Sequence, residues 1–160
     1  MKLNIIAVGG TIDKIYYDDL SDYKIGAPAA TEILGRIKVN FDYEVTQLIS
    51  KDSLDMSDAD REAVLAAVQT LTSHKVIVTH GTDTMVDTGK VLKQAQGKTI
   101  VIMGAMQPAI MKLSDADFNL GVAVAAVQTL PEGVYLCMNG RIFDVDKVAK
   151  NRDQSQFQDL

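Results

Sequence analysis

Apolar and polar positions along this chain alternate between short extended runs and longer helical stripes. Leu3 to Val8 is a compact apolar run closed by Gly9-Gly10, which predicts a strand buried on both faces. Residues 11–28 mix Tyr16, Tyr17, Asp18, Asp19, Tyr23, Gly26 and Pro28 and predict a long loop with a local hairpin. Loops of that length are more often functional than filler. Ala29 to Ile37 predicts a short helix and Tyr43 to Ile49 a second strand. Ser57 with Asp60 three residues on has the spacing of a capping box. The helix it opens carries Ala63, Val64, Ala67, Val68 and Leu71 on one stripe of 3.6-residue period. Val76 to Thr79, Thr99 to Met103 and Val134 to Met138 predict three further strands, with helices over Thr82 to Gln96 and Ala116 to Leu130 between them. After Asn139-Gly140 a short extended piece, Arg141 to Phe143, leads into a polar tail.

This alternation predicts an α/β fold of three layers, a mostly parallel sheet of about five strands with flanking helices. With 160 residues, no internal repeat and no linker-like stretch, the expectation is one domain over residues 1–160. Hydrophobic residues at 47% and charged residues at 23% exclude a disordered, collagen-like or coiled-coil chain. A net charge of −5 without a basic run argues against a nucleic-acid partner. The single cysteine, Cys137, excludes an internal disulfide and a cysteine-based zinc cluster, and its mid-strand position predicts an inert core thiol. The apolar run near Met1 is shorter than the roughly 7–15 residues of a signal-peptide core. It is far below the roughly 18 of a membrane span. The expectation is a soluble, cytoplasmic protein without a membrane partner.

In open parallel sheets, ligands bind outside the carboxyl ends of the strands. The residues just past those ends are Gly9-Gly10-Thr11, Asp52-Ser53, His80-Gly81-Thr82-Asp83, Gly104-Ala105-Met106 and Asn139-Gly140. No G-x-G-x-x-G follows the first strand and no phosphate-binding G-x-x-x-x-G-K-[ST] occurs. His74 and His80 lack metal-ligand spacing, so neither a cofactor nor a metal is expected. What remains is hydroxyl chemistry. Thr11 follows two glycines that let the backbone approach a ligand, and a Thr hydroxyl attacks only once a base takes its proton. Gly9-Gly10-Thr11 read alone is equally a strand-to-loop turn. Thr82 and Asp83 suit a helix cap and first-turn acid as well as an anion site. Lys150 suits a solvated tail charge as well as a shielded base.

Taken together, Val8-Gly9-Gly10-Thr11-Ile12, Asp52-Ser53 before Asp55-Met56, Thr79-His80-Gly81-Thr82-Asp83-Thr84-Met85 and Gly104-Ala105-Met106-Gln107-Pro108 resemble the signature segments of the bacterial L-asparaginases. Phe118-Asn119-Leu120 and Val148-Ala149-Lys150 continue the resemblance in order, so that it spans nearly the whole chain. The resemblance implies a two-step hydrolysis of asparagine or a related small carboxamide to acid and ammonia. By position it implies Thr11 as attacking threonine and Tyr23, before Lys24-Ile25-Gly26, as the tyrosine of a mobile lid. It implies a relay of Thr82, Asp83 and Lys150, with Gly10, Ser53, Asp83 and Ala105 around the substrate.

The departures are as specific. Family members are about twice this length, and in the usual family dimer a smaller C-terminal domain of the neighbour completes the pocket. Leu54 stands where a polar residue is common, and Asp13-Lys14 replaces small residues after the nucleophile turn. Ser114-Asp115-Ala116-Asp117 keeps an aspartate but loses a glycine. A binding module for an amino acid or amide, and an amide-hydrolysing subunit of a larger amidotransferase, are the alternative readings. Val122, Ala123, Ala125, Ala126 and Val127 are more apolar than one buried stripe needs, which predicts a helix covered on two sides and a homo-oligomer, most simply a dimer.

Overall fold

The computed structural model describes residues 1–160. In chain order the elements are β1 (Lys2–Gly9), β2 (Lys14–Tyr17), β3 (Asp22–Ile25), α1 (Ala29–Ile37), β4 (Asp42–Lys51), α2 (Asp58–Thr70), β5 (Lys75–Thr79), α3 (Met85–Leu92), β6 (Thr99–Met103), α4 (Ala116–Thr129), β7 (Gly133–Met138), β8 (Arg141–Asp144), β9 (Val148–Asn151) and β10 (Gln156–Asp159). Six strands form one sheet in the order β4-β1-β5-β6-β7-β8. The first five run parallel and β8 returns antiparallel. That return follows from Asn139 and Gly140, both at positive φ, the conformation a two-residue hairpin turn requires.

Because the parallel strands are covered on both sides, alternate residues feed two cores. Ile6, Val8, Val76, Val78, Ile100 and Ile102 pack against α2, α3 and the β9–β10 hairpin through Val64, Val68, Met85, Leu92 and Phe157. Leu3, Ile5, Ile77, Val101 and Met103 pack against α1 and α4 through Ile33, Leu34, Leu120, Ala123 and Val127. This is the three-layer arrangement the sequence pattern predicts.

Three local expectations are corrected. The buried stripe of α2 is Arg61, Val64, Leu65 and Val68, with Ala63 exposed, because the capping box at Ser57 fixes the helix phase. The helix expected over 82–96 is confined to 85–92. At its start, the Thr84 hydroxyl donates to the Ser53 carbonyl oxygen over 2.8 Å, holding that turn against a neighbouring loop. At its end, Gln94 and Ala95 make tight bonds back to Val91 and Leu92. The polar tail folds as the hairpin β9–β10, anchored by buried Val148 and Phe157 and by Asn139, whose Oδ1 accepts the Phe157 N–H over 2.8 Å. Within this chain α4 is covered on one face, and Gly121 and Ala125 on its other face are exposed, the side that the expected second copy would cover.

Candidate active site

The sheet order explains why three separate loops meet. From β1 the chain moves to β4 on one side and then crosses back to β5 on the other. The loops after β1, β4 and β5 therefore leave adjacent strands, at the crevice where winding direction reverses. They are pressed together. A Cβ on Gly10, whose φ is +87°, would lie 2.3 Å from the Gly81 nitrogen. A Cβ on Gly81 would lie 2.6 Å from Ser53 Oγ. Gly10 N donates to the Lys51 carbonyl over 2.9 Å, tying the β1 loop to β4. Ser53, buried between them, accepts the Asp83 N–H on its Oγ over 3.2 Å.

His80 braces the turn from behind. Its Nδ1 lies 2.8 Å from the Gly81 carbonyl oxygen and its Nε2 lies 2.7 Å from Thr88 Oγ1. Burial lowers its pKa to about 4, so the ring is neutral. A carbonyl only accepts, so Nδ1 carries the proton and Nε2 accepts from the Thr88 hydroxyl.

Lys150 reaches this edge from β9. Its Nζ donates to Thr82 Oγ1 over 2.7 Å and to Asp83 Oδ1 over 2.9 Å, with 16% of the side chain exposed. A solvated tail charge would be neither so shielded nor so placed. Arg152 Nη2 stands 3.5 Å from the same Asp83 oxygen. Sequence reasoning passed over Arg152, although its position two residues beyond Lys150 was the available signal.

Thr11 begins a short turn after Gly10 and is half-buried, and no side-chain hydrogen bond joins it to Lys150 or Tyr23. Tyr23 lies on the β2–β3 hairpin, 43% exposed and edge-on to Tyr16. It faces an open groove with Lys14, Lys24, Ser50, Lys51, Asp52 and Asp55. The structure thus gathers Gly10, Ser53, Thr82, Asp83 and Lys150 at one edge, with Thr11 next to Gly10. It leaves Tyr23 on the hairpin without a bond to Thr11.

The hairpin is anchored at Asp13. The Asp13 carbonyl oxygen accepts from Gly26 N over 2.7 Å, and Oδ1 accepts from Ala29 N over 2.8 Å at the start of α1. Asp13 is 3% exposed and its Oδ2 is buried without a partner. Burial pushes its carboxyl up to about 6. Lys14 donates to Asp52 over 2.9 Å, linking the hairpin to the loop that bears Ser53 and holding the Asp52 carboxyl below its ordinary range. Ala105 is buried past the end of β6. Its loop is held by Asp115, which accepts from Met106 N at 2.9 Å, Gln107 N at 3.1 Å and Asn119 Nδ2 at 2.8 Å. That buckling role was missed in the sequence, where Asp115 registered only as an acid kept beside a lost glycine. No group of three or more metal-ligating side chains is present. No helix is long and apolar enough to cross a membrane.

With this geometry in place, the chain can be set against known proteins. Residues 2–158 match the family described as asparaginase, N-terminal, and the chain belongs to that family. A probable periplasmic L-asparaginase of Haemophilus influenzae is 31% identical over 93% of this chain and 46% of its own length. The structure of the thermostable L-asparaginase from Thermococcus kodakarensis superposes with a TM-score of 0.87 at 23% identity, over all of this chain and 51% of that one. A probable cytoplasmic L-asparaginase from Campylobacter jejuni superposes at 0.80 with 25% identity, over 99% of this chain and 51% of that one. The chain spans about half the length of the curated relatives it matches.

Proposed function

We propose that this chain is an amidohydrolase that converts L-asparagine, or a related small carboxamide, to the acid and ammonia. The observation that carries the reading is the shielded lysine in contact with both a threonine hydroxyl and an aspartate, at the edge where Gly10 positions Thr11. In this reading Thr11 Oγ bonds to the carboxamide carbon, the carbon–nitrogen bond breaks, and the hydroxyl proton leaves with ammonia. Water then cleaves the Thr11 ester, releasing the acid and restoring the hydroxyl. Thr82 and Lys150 pass the protons, the lysine acting as acceptor when it is neutral, and Asp83 orients it. Ser53 and Asp83 take the α-carboxylate and α-amino group of the substrate, and the Ala105 backbone takes the carboxamide. Tyr23 closes over Thr11 when the hairpin swings in.

Residues 1–160 serve in this proposal as one catalytic domain that pairs into a homodimer. The exposed side of α4 supports that pairing: Gly121 and Ala125 are bare, and Phe118 is 62% exposed. A cytoplasmic location completes the proposal, and cell fractionation decides it, because relatives carry both periplasmic and cytoplasmic labels. The second reading, an amino-acid or amide-binding module without turnover, is not favoured, since the family match and the shielded contact of Lys150 with Thr82 and Asp83 both support hydrolysis.

Ammonia release from asparagine, glutamine and simple amides tests the choice. Thr11→Ala is expected to reduce release to background and Lys150→Met to lower kcat by about 10²–10⁴-fold. Binding without ammonia in the unaltered protein would select the binding module. Sedimentation at micromolar concentration tests the dimer, and a monomer would remove that part alone.

A further inference from the structure

A second cavity lies away from the sheet edge, between the root of the β2–β3 hairpin, α1 and the loop before α4. Its volume is about 400 Å³, within the roughly 300–1,000 Å³ of small-molecule sites. Neither Thr11 nor any of Ser53, Thr82, Asp83 and Lys150 lines it. Ile12 and Ile33 are buried in its wall, Ile15 and Ala109 are half-buried, and Ile110 stands exposed at the rim. These side chains offer contacts to an apolar body and no hydrogen bond.

Four charged residues line the same space, and their pairing is uneven. Lys14 donates to Asp52 over 2.9 Å and Arg36 to Asp117 over 2.8 Å, and neither acceptor lines the cavity. Asp13 and Glu32 take no part in any ion pair. Asp13 is 3% exposed. Ala29 N takes one of the roughly four acceptor positions of its carboxylate, and Oδ2 has no partner. An anion here meets two unpaired carboxylates and no free cation. A purely apolar occupant leaves Oδ2 buried and unsatisfied. A metal ion finds too few ligands, since no group of three metal-ligating side chains is present. An ammonium supplies both the donors and the missing charge. We propose that this cavity is a second ligand site, which takes a small primary amine carried on a branched aliphatic or aryl body. Its occupant sits against the root of the hairpin that bears Tyr23, because the Asp13 carbonyl also holds Gly26 N over 2.7 Å.

Isopentylamine and benzylamine serve as probes, with isopentanol and benzyl alcohol as uncharged counterparts. Each is titrated calorimetrically into the unaltered protein, Asp13→Asn and Asp83→Asn. The unaltered protein is expected to bind the amines at least about tenfold more tightly than the alcohols. Amine affinity is expected to be about tenfold higher at pH 8 than at pH 5, because binding needs the ionised Asp13 carboxyl, which burial holds at about 6. Asp13→Asn is expected to weaken the amines at least about tenfold and to flatten the pH series, whereas Asp83→Asn binds them as the parent does. Equal binding of amine and alcohol, or no binding of either amine, overturns the proposal. So does lost amine binding in Asp83→Asn, which would place the amine at the sheet edge instead. The comparison with alcohols and the pH series use the unaltered protein, so they decide the matter even if Asp13→Asn does not fold. None of these measurements depends on turnover, so the site stands or falls apart from the amidohydrolase reading.

Discussion

Asp13 offers a quantitative test of how the hairpin is anchored. The residue is 3% exposed, one carboxyl oxygen is bonded to Ala29 N, and the other has no partner. Burial lifts its pKa from 3.8 to about 6. A folded-state value above the unfolded one means that the folded protein holds the proton more tightly. The protonated group therefore costs nothing below about pH 4. Stability falls as pH rises towards 6 and levels off above it. At about 1.4 kcal/mol per tenfold change in proton affinity, ionising Asp13 costs about 3 kcal/mol. Asp13→Asn keeps an acceptor for Ala29 and removes the titration. Its buried amide adds a penalty that does not vary with pH, about 1–3 kcal/mol. Other carboxylates, such as Asp52, titrate alike in both proteins and cancel in the difference. Urea unfolding between pH 4 and 8 should show Asp13→Asn gaining about 2.5 kcal/mol relative to the parent, mostly between pH 4 and 6. A difference constant within about 0.5 kcal/mol would refute the burial argument, because a solvated Asp13 titrates the same way folded and unfolded.

Gly81→Ala should lower the urea midpoint and cut substrate affinity together, since its Cβ would stand 2.6 Å from Ser53 Oγ; overpacking of this kind costs about 1–3 kcal/mol. Normal stability with normal activity would show that the loop gives way. Cys137 is buried in the core and its thiol is pushed up to about 12. It should react with a disulfide reagent at pH 8 only when urea unfolds the chain, and rapid labelling in buffer would contradict the placement of β7.

The layers of the fold were legible because buried parallel strands leave plain marks. Leu3 to Val8 and Thr99 to Met103 are apolar on both faces, and each strand of the main sheet lies within two residues of where the pattern put it. The site was legible where backbone constraints write themselves as glycines, at Gly10 and Gly81. Other features depended on pairing across long sequence distances. Phe157 is one apolar residue among polar ones, and its burial requires Asn139 to hold the hairpin in place. Arg61 lies on the buried stripe of α2 because its guanidinium reaches the Met56 carbonyl and Asp58, partners that spacing alone does not announce. Lys150 was legible only through the resemblance of its segment, because its physical meaning comes from Thr82 and Asp83, far away along the chain.

The place of β1 between β4 and β5 also bears on how the molecule comes into being. Leu3 pairs with Tyr43 along one edge and with Lys75 along the other. During synthesis, Leu3-Asn4-Ile5-Ile6-Ala7-Val8 emerges long before either neighbour and carries no charge of its own. Until Thr79 has left the ribosome, this strand has at least one open edge, the condition that favours pairing between chains. Parallel strands joined over such distances belong to the slow end of folding rates. Lys2 at the start of the run is the nearest charge that discourages intermolecular stacking. Substitutions that weaken β5 should therefore show first as loss of soluble yield during expression, before purified protein registers a change in melting temperature.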